Sequence, residues 1–317
     1  MKLHVLHENP DWYPPFAAAF DAEGVAHEEW LLGEGSLDLD AEPPQGVFWS
    51  RMSASSYTRG HPWAKDHTRA VLCWLEAHGR RVVNGRRVLE LEMSKAEQLT
   101  ALRRAGIAVP RTIAVVGAGP GERARGILDA AGRIGAPFIV KPNQGGKGLG
   151  VRRFDSVREL AEHLDGPAWE PPVDGVSLVQ EYIRAAEPFI TRVEIVGGEF
   201  LYALTADTAR GGFELCPADA CAVPTESIFA LRKGFEHPII ERYLAFAAEY
   251  GIEIAGFEFI EADDGRILTY DVNTNTNYNP EVDAAAPRSA PRQIARYLTS
   301  LLDVEAALAS AHVREGR

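Results

Sequence analysis

The segment FIVKPNQGGKGLGV, residues 138–151, ends an apolar run on Lys141 and opens into a loop. That loop carries Gly145, Gly146, Gly148 and Gly150 around a second lysine, Lys147. Glycines remove side chains where backbone amides must approach an anion. Lysines beside such a loop suit phosphate oxygens; a flexible hairpin with two solvated lysines is the plainer account. Farther on, GFEF (residues 256–259) sets Glu258 between Phe257 and Phe259. A carboxylate there must turn to a wet face or to a cation. In YDVNTNTNYN (residues 270–279), Asp271 and Asn273 lie two apart and share one side of a strand. Such hard oxygen donors suit Mg²⁺, with Mn²⁺ as an alternative, and Mg²⁺ also takes nucleotide phosphate oxygens. Asn275, Asn277 and Asn279 continue the polar run, which also fits an asparagine-rich turn. The coincidence with Lys141 and the glycine loop favours the metal and points to an ATP-using enzyme.

Gln180, Glu181, Tyr182 and Ile183 close another apolar run. Glu181 can accept a hydrogen bond from an adenine amine, with the Tyr182–Ile183 backbone at the ring edge; a surface glutamate is the alternative. No G-x-x-x-x-G-K-[ST] frame fits the glycine loop. Gly117, Gly119 and Gly121 imitate a dinucleotide-binding turn, but Glu122 stands where its third glycine belongs and would face a pyrophosphate.

The elements needed to position these residues are legible. Strands are expected over residues 3–6, 47–49, 112–116, 138–141, 177–180, 191–196, 200–204, 254–260 and 267–270. Helices are expected over residues 16–20, 67–78, 122–134, 156–164 and 238–250, with closing helices at 293–302 and 304–312. A further helix runs from Ser94 to Gly106. Ser94 and Glu97, like Ser156 and Glu159, have capping-box spacing. Gly197–Gly198 reads as a hairpin turn, and residues 82–83 and 88–89 are too short to classify. The pattern is α/β with α+β elements, in three parts: 1–93, 94–184 and 185–317.

The chain's 317 residues suffice for two or three cores. Its formal net charge of −12 disfavours a nucleic-acid partner. No run approaches a membrane span. The three cysteines and the absence of a signal-peptide pattern fit the cytoplasm. Cys73 reads as a small apolar helix residue; Cys216 and Cys221, flanking PADA, leave a disulfide or metal pair open.

On these motifs the chain resembles the ATP-grasp superfamily, most of all the branch of ribosomal-protein glutamate ligase and glutathione synthetase, over about residues 94–279. The resemblance implies a three-part fold with a nucleotide cleft between the central and C-terminal parts. It implies phosphate-side roles for Lys95 (in MSKAEQLTALRRAGIAVPRT), Lys141 and Arg192 (in FITRVEIVGG), a hinge role for Glu181, and metal ligation by Glu258, Asp271 and Asn273. The family usually has aspartate at the position of Glu258 and glutamate at that of Asp271, so both charges persist. TNTNYNP replaces the family's small-residue segment, and residues 206–221 lack its basic pattern; both changes fall where an acceptor would lie.

The implied activity is carboxylate–amine ligation through an acyl phosphate, on an amino acid, a peptide or a protein C-terminus. Arg51 (in SRMSASS) and Arg210 are candidates to clamp a substrate carboxylate, with Arg210 also at the reacting groups and Asn275 and Asn277 beside the acceptor. A small-molecule kinase and a non-catalytic ATP sensor are the alternatives, and a homo-oligomer is compatible with the sequence.

Overall fold

The structure is a computed structural model and describes residues 1–117, 119, 121, 124–146, 148–211 and 227–315. The first part runs β1 (Lys2–His7), α1 (Pro14–Ala22), β2 (His27–Leu31), β3 (Gly46–Ser50), α2 (Ala64–Ala77), β4 (Arg81–Val83) and α3 (Arg86–Met93). Its strands pair in parallel in the order β2-β1-β3-β4. Parallel sheets are covered on both faces. Here Leu3, Val5 and Trp49 pack toward α1, while Leu6 and Phe48 pack toward α2. Because β2 and β3 flank β1 on opposite sides, the order reverses between β1 and β3. Arg51 follows directly after β3, at that reversal, the place where open α/β sheets bind ligands.

The second part runs α4 (Lys95–Arg104), β5 (Thr112–Val116), α5 (Ala124–Ile134), β6 (Phe138–Pro142), β7 (Arg152–Phe154), α6 (Val157–Leu164) and β8 (Val176–Glu181). Its antiparallel sheet has the order β5-β8-β6-β7. Phe138, Val140, Phe154 and Val179 bury one face under α5 and α6. Strand alternation turns Ile139 and Lys141 to the other face, opposite Gln180 and Leu178 of β8. Both serine caps form: Ser94 accepts from the Glu97 N–H at 3.2 Å and Ser156 from the Glu159 N–H at 3.1 Å.

The third part comprises β9 (Phe189–Val196), β10 (Glu199–Asp207), α7 (Thr208–Gly211), β11 (Phe229–Leu231), α8 (Ile239–Tyr250), β12 (Ile254–Glu261), β13 (Ile267–Asn273), α9 (Pro280–Ala285) and α10 (Ala290–Glu315). The sheet order is β11-β10-β9-β12-β13. Val193, Ile195, Phe257, Phe259 and Val272 form its apolar face against α3, α4 and α8. The opposite face carries Arg192, Glu194 and Glu258. α10 leaves this part to pack on β1 and β3, so Ile294 and Leu298 share a core with Leu3 and Phe16.

Several expectations change. The two closing helices are one, because Asp303 does not interrupt α10. Val88 and Leu89 belong to α3. Cys73 is exposed rather than packed: Val71, Leu72 and Leu75 face the core, and residue 73 falls outside that stripe. β2, β7, β11 and α9 carry no strong pattern of their own. Cys216, Cys221, Lys147 and Glu122 lie outside the described residues. No helix among the described residues is long and apolar enough to cross a membrane.

Candidate active site

Register brings the acids together. β12 and β13 pair antiparallel with Glu258 opposite Asp271 and Gly256 opposite Asn273. A bulge then places Thr269, not Tyr270, opposite Phe259. Tyr270 is therefore the extra residue, and consecutive Tyr270 and Asp271 both reach the polar face. The Tyr270 hydroxyl donates to Glu258 Oε2 at 2.9 Å and Asn273 Nδ2 donates to Glu258 Oε1 at 3.1 Å. On the other side of β12, β9 sets Arg192 opposite Glu258, and Arg192 Nη1 lies 3.3 Å from Glu258 Oε1.

Three cations converge on this face from different elements. Ser94 caps α4, so Lys95 starts the helix; its ammonium reaches Asp271 Oδ1 at 2.5 Å. Lys141 comes from β6 and is 6% exposed. Burial, then repulsion from Lys95, lowers its ammonium to about 7, while Asp271 and Glu258 pull the other way. Burial opposes charge on Lys95 and Arg192 as well, but Asp271 lifts Lys95 above its ordinary value, and Glu194 and Glu258 do the same for Arg192. Burial also raises the Glu258 carboxyl, opposed by Arg192 and reinforced by Asp271. Lys141 and Asp271 thus share one electrostatic site.

Other predicted residues fall around it. Gly145 and Gly146 lie against Tyr57 and Ser55 of the first part, and Gly148 adopts the left-handed conformation at φ 73°. Gln180 donates to Thr112 Oγ1 at 2.8 Å. Glu181 accepts from the Arg111 N–H at 2.7 Å and lies 3.4 Å from Arg266. Arg153 stacks on Tyr182 at 4.4 Å, and Ile183 packs with Ile260, Ala262 and Leu268. Arg51 and Asn277 meet directly, Nη2 to Oδ1 at 2.9 Å. Asn275 Oδ1 is buried without a hydrogen-bond partner among the described residues. The backbone of Arg210 lies in α7, and its side chain is outside the described residues.

Several partners went unread in the sequence, of which only Glu194, two residues from Arg192 on the same strand face, was within local reach. Glu194 accepts from Arg192 Nε at 2.6 Å, and Thr276 Oγ1 accepts from Arg192 Nη2 at 2.6 Å. Asn143 Oδ1 accepts from the Ala96 N–H at 2.8 Å, tying the β6 loop to the start of α4. Glu92 accepts from Thr274 N and Oγ1, each at 2.9 Å, and so anchors the segment after β13. Gly256 clears the path of Arg192: an added Cβ would lie 2.8 Å from Nη2 and 2.9 Å from Cζ. Gly256→Ala is therefore expected to push the guanidinium out of its Glu194–Glu258–Thr276 seat. The expected result is a loss of roughly tenfold or more in kcat with the fold retained, checked by steady-state kinetics alongside circular dichroism.

The residues fit a divalent ion. Glu258, Asp271 and Asn273 present hard oxygens on one face, two of them cross-strand neighbours. No trio of His, Cys, Asp or Glu clusters as a cage among the described residues. Asparagine, water and phosphate oxygens would therefore have to complete the coordination, a pattern usual for Mg²⁺.

A first part with a switch-point sheet, a helix-backed antiparallel sheet, and a larger sheet lined with acids define an ATP-grasp fold. The ATP-grasp ligase PsnB complexed with minimal precursor, Mg and ADP superposes with a TM-score of 0.63 at 16% identity, covering 94% of this chain and 96% of that one. A D-alanine–D-alanine ligase of Nitratidesulfovibrio vulgaris is 28% identical over 225 residues, 66% of this chain and 67% of its own length. A probable alpha-L-glutamate ligase 2 of Pseudoalteromonas atlantica is 28% identical over 219 residues, 67% of this chain and 70% of its own length. No family model matches the chain. The chain thus has the ATP-grasp fold and is similar in sequence to ligases.

Proposed function

We propose that this chain joins a carboxylate to an amine at the expense of ATP, through an acyl phosphate, on an amino acid or a peptide. The supporting observation is the opposition of Lys95, Lys141 and Arg192 to Glu258, Asp271 and Asn273 on a single sheet face. Cations neutralise a triphosphate, and the oxygen donors suit the ion that accompanies it. Glu258, Asp271 and Asn273 would hold Mg²⁺, which when bound supplies charge neutralisation at the phosphates. The relatives act in the same sense by name, and PsnB is seen with magnesium, ADP and its minimal precursor.

In the proposed reaction, a substrate carboxylate oxygen bonds to the γ-phosphorus as the bond to the ADP oxygen breaks. The amine nitrogen then bonds to the acyl carbon, the C–O bond to phosphate breaks, and the amine proton leaves with the phosphate. The chain supplies position and charge rather than a covalent nucleophile. Lys141 and Arg192 face the charge that moves between oxygens, and Lys95 holds Asp271 in place. Gln180 and the Glu181–Ile183 backbone serve the adenine end. Gly145 and Gly146, seated against the first part, cover the phosphates and exclude water that would hydrolyse an acyl phosphate. The cytoplasm, rich in ATP and amino acids, is the compartment we assign.

Incubation with ATP, Mg²⁺ and a panel of amino acids and peptides, read by ADP release and product mass, tests this. A product heavier by one substrate minus water is expected. ADP with a stable phosphorylated product would make the chain a kinase. Nucleotide binding with no turnover on any carboxylate–amine pair would make it a sensor.

A further inference from the structure

Thr276 is where two guanidiniums from different sheets meet. Its carbonyl accepts from Arg51 Nη2 at 3.0 Å and its hydroxyl accepts from Arg192 Nη2 at 2.6 Å. Their charges are met unequally. Arg192 has Glu194 and Glu258. Among the described residues no carboxylate pairs with Arg51. Glu8, the acid in whose field it lies, is taken by Arg59 at 2.5 Å. Arg51 is nevertheless 2% exposed, held over the ring of Phe16 at 4.1 Å.

Donors with no acceptor occur here on Arg51 itself, on Tyr278 in its field, and on Tyr202 in the field of Tyr278. Arg51 Nε and the hydroxyls of Tyr202 and Tyr278 are buried and without hydrogen-bond partners among the described residues. Tyr278 lies two residues beyond Thr276, in the fields of Glu194, Arg192 and Arg51, and its hydroxyl approaches Thr276 without hydrogen-bond geometry. Tyr202 comes from β10 on the same side and feels Glu194, Tyr278, Asp283 and Arg192. Glu194 does not make this corner acidic, because Arg192 Nε and the Thr276 hydroxyl hold its two oxygens at 2.6 and 3.2 Å. Unmet buried donors are rare, and each asks for an acceptor. Two tyrosine hydroxyls beside an uncompensated guanidinium whose own Nε is the third unmet donor ask for an anion with several lone pairs, which a carboxylate supplies.

We propose that the corner formed by Arg51, Tyr202 and Tyr278 beside Thr276 binds a carboxylate of the substrate, one that is recognised rather than consumed. The assignment rests on the ligase reading and sharpens it. Thr276 and Arg192 separate the corner from Glu258 and Asp271, so the carboxylate held here is not the one facing the phosphates. The substrate class is accordingly an amino acid or peptide carrying a free carboxylate besides its reacting group.

The test pairs amino acids and short peptides with their carboxamides, each titrated calorimetrically into the full chain with Mg²⁺ and a non-hydrolysable ATP analogue. At least one acid is expected to bind roughly tenfold more tightly than its amide. Tyr202→Phe and Tyr278→Phe are expected to weaken the acid about tenfold, leaving the amide and the nucleotide affinity unchanged. Both variants should melt at or above the wild-type temperature, since neither hydroxyl has a hydrogen bond to lose. Arg51→Lys, which keeps charge but not the planar fork, should weaken the acid in the same way. Equal binding of acid and amide, binding of no acid at all, unchanged acid affinity in the Phe variants, or a lowered melting temperature in them would each overturn the assignment. If the nucleotide binds and amide products still form, only this corner is refuted. If the nucleotide itself does not bind, the ligase reading falls and takes this one with it.

Discussion

Lys141→Met is expected to abolish turnover and yet stabilise the free protein. The lysine is 6% exposed, and no carboxylate pairs with it among the contacts of the described residues; Asp271 and Glu258 act on it only through their fields. An ammonium so placed opposes folding whenever it is charged. In the folded chain it ionises at about 7, against an ordinary value of 10.5. Between those values the unfolded chain binds more protons than the folded one, so stability rises with pH across that window. Below pH 7 both states carry the proton and the full cost is present. The gain from Lys141→Met is therefore largest at pH 6, on the order of 2–4 kcal/mol, and fades as pH approaches 10. Denaturant titrations of both proteins at pH 6, 8 and 10 measure it; a variant less stable than wild type at pH 6 contradicts it. Loss of the charge should also cost at least about a hundredfold in kcat/KM. At pH 8 the wild type should take up a proton on binding ATP, because the triphosphate restores the ammonium. Calorimetry in buffers of different ionisation enthalpy detects that uptake.

Arg192→Met should do the reverse to stability. This guanidinium sits at 2.6 Å from Glu194 and 3.3 Å from Glu258, and it holds the Thr276 hydroxyl. Its removal strands a glutamate that is 1% exposed and another already raised by burial. Breaking a buried pair from one side costs about 3–5 kcal/mol. A large drop in melting temperature is expected, together with loss of turnover. Arg192→Met with Glu194→Met should recover part of the stability but none of the activity, a coupling that a double-mutant cycle reads directly. Recovery of activity in the double variant would remove Arg192 from the reaction.

The opposite signs arise from register, which also decides what could be read beforehand. Local signals were legible. The strand over 112–116 is where its β-branched run sets it, and both serine caps form. Lys141 could be aimed because alternation with Phe138 and Val140 fixes its face. Glu258 could be placed because Phe257 and Phe259 leave it one direction, and its cation is now visible as Arg192. Glu194, two residues from Arg192 on the same strand face, was open to the same alternation reading, but the partners Thr276, Glu92 and Asn143 could not be seen. Each makes its decisive contact through a strand pairing, a helix start or a segment distant in the chain, and its own neighbours carry no trace of that contact. Cys73 illustrates the complementary error: an apolar-looking residue inside a helical pattern still faces solvent when the stripe passes beside it. α10 hid its continuity for a similar reason, since Asp303 resembles a break but lies on an exposed flank of the helix.

The extra residue in β13 sets a phase. Upstream of it, Thr269 faces α8 and bonds Tyr243 at 2.7 Å; downstream, Asp271 and Asn273 face the polar side of the sheet while Val272 takes the core side. Removing one residue there would invert the parity of everything after it, presenting valine to the polar face and driving two polar groups into hydrocarbon. The oxygens of Asp271 and Asn273 and the Thr276 junction beyond them are thereby locked to a common frame.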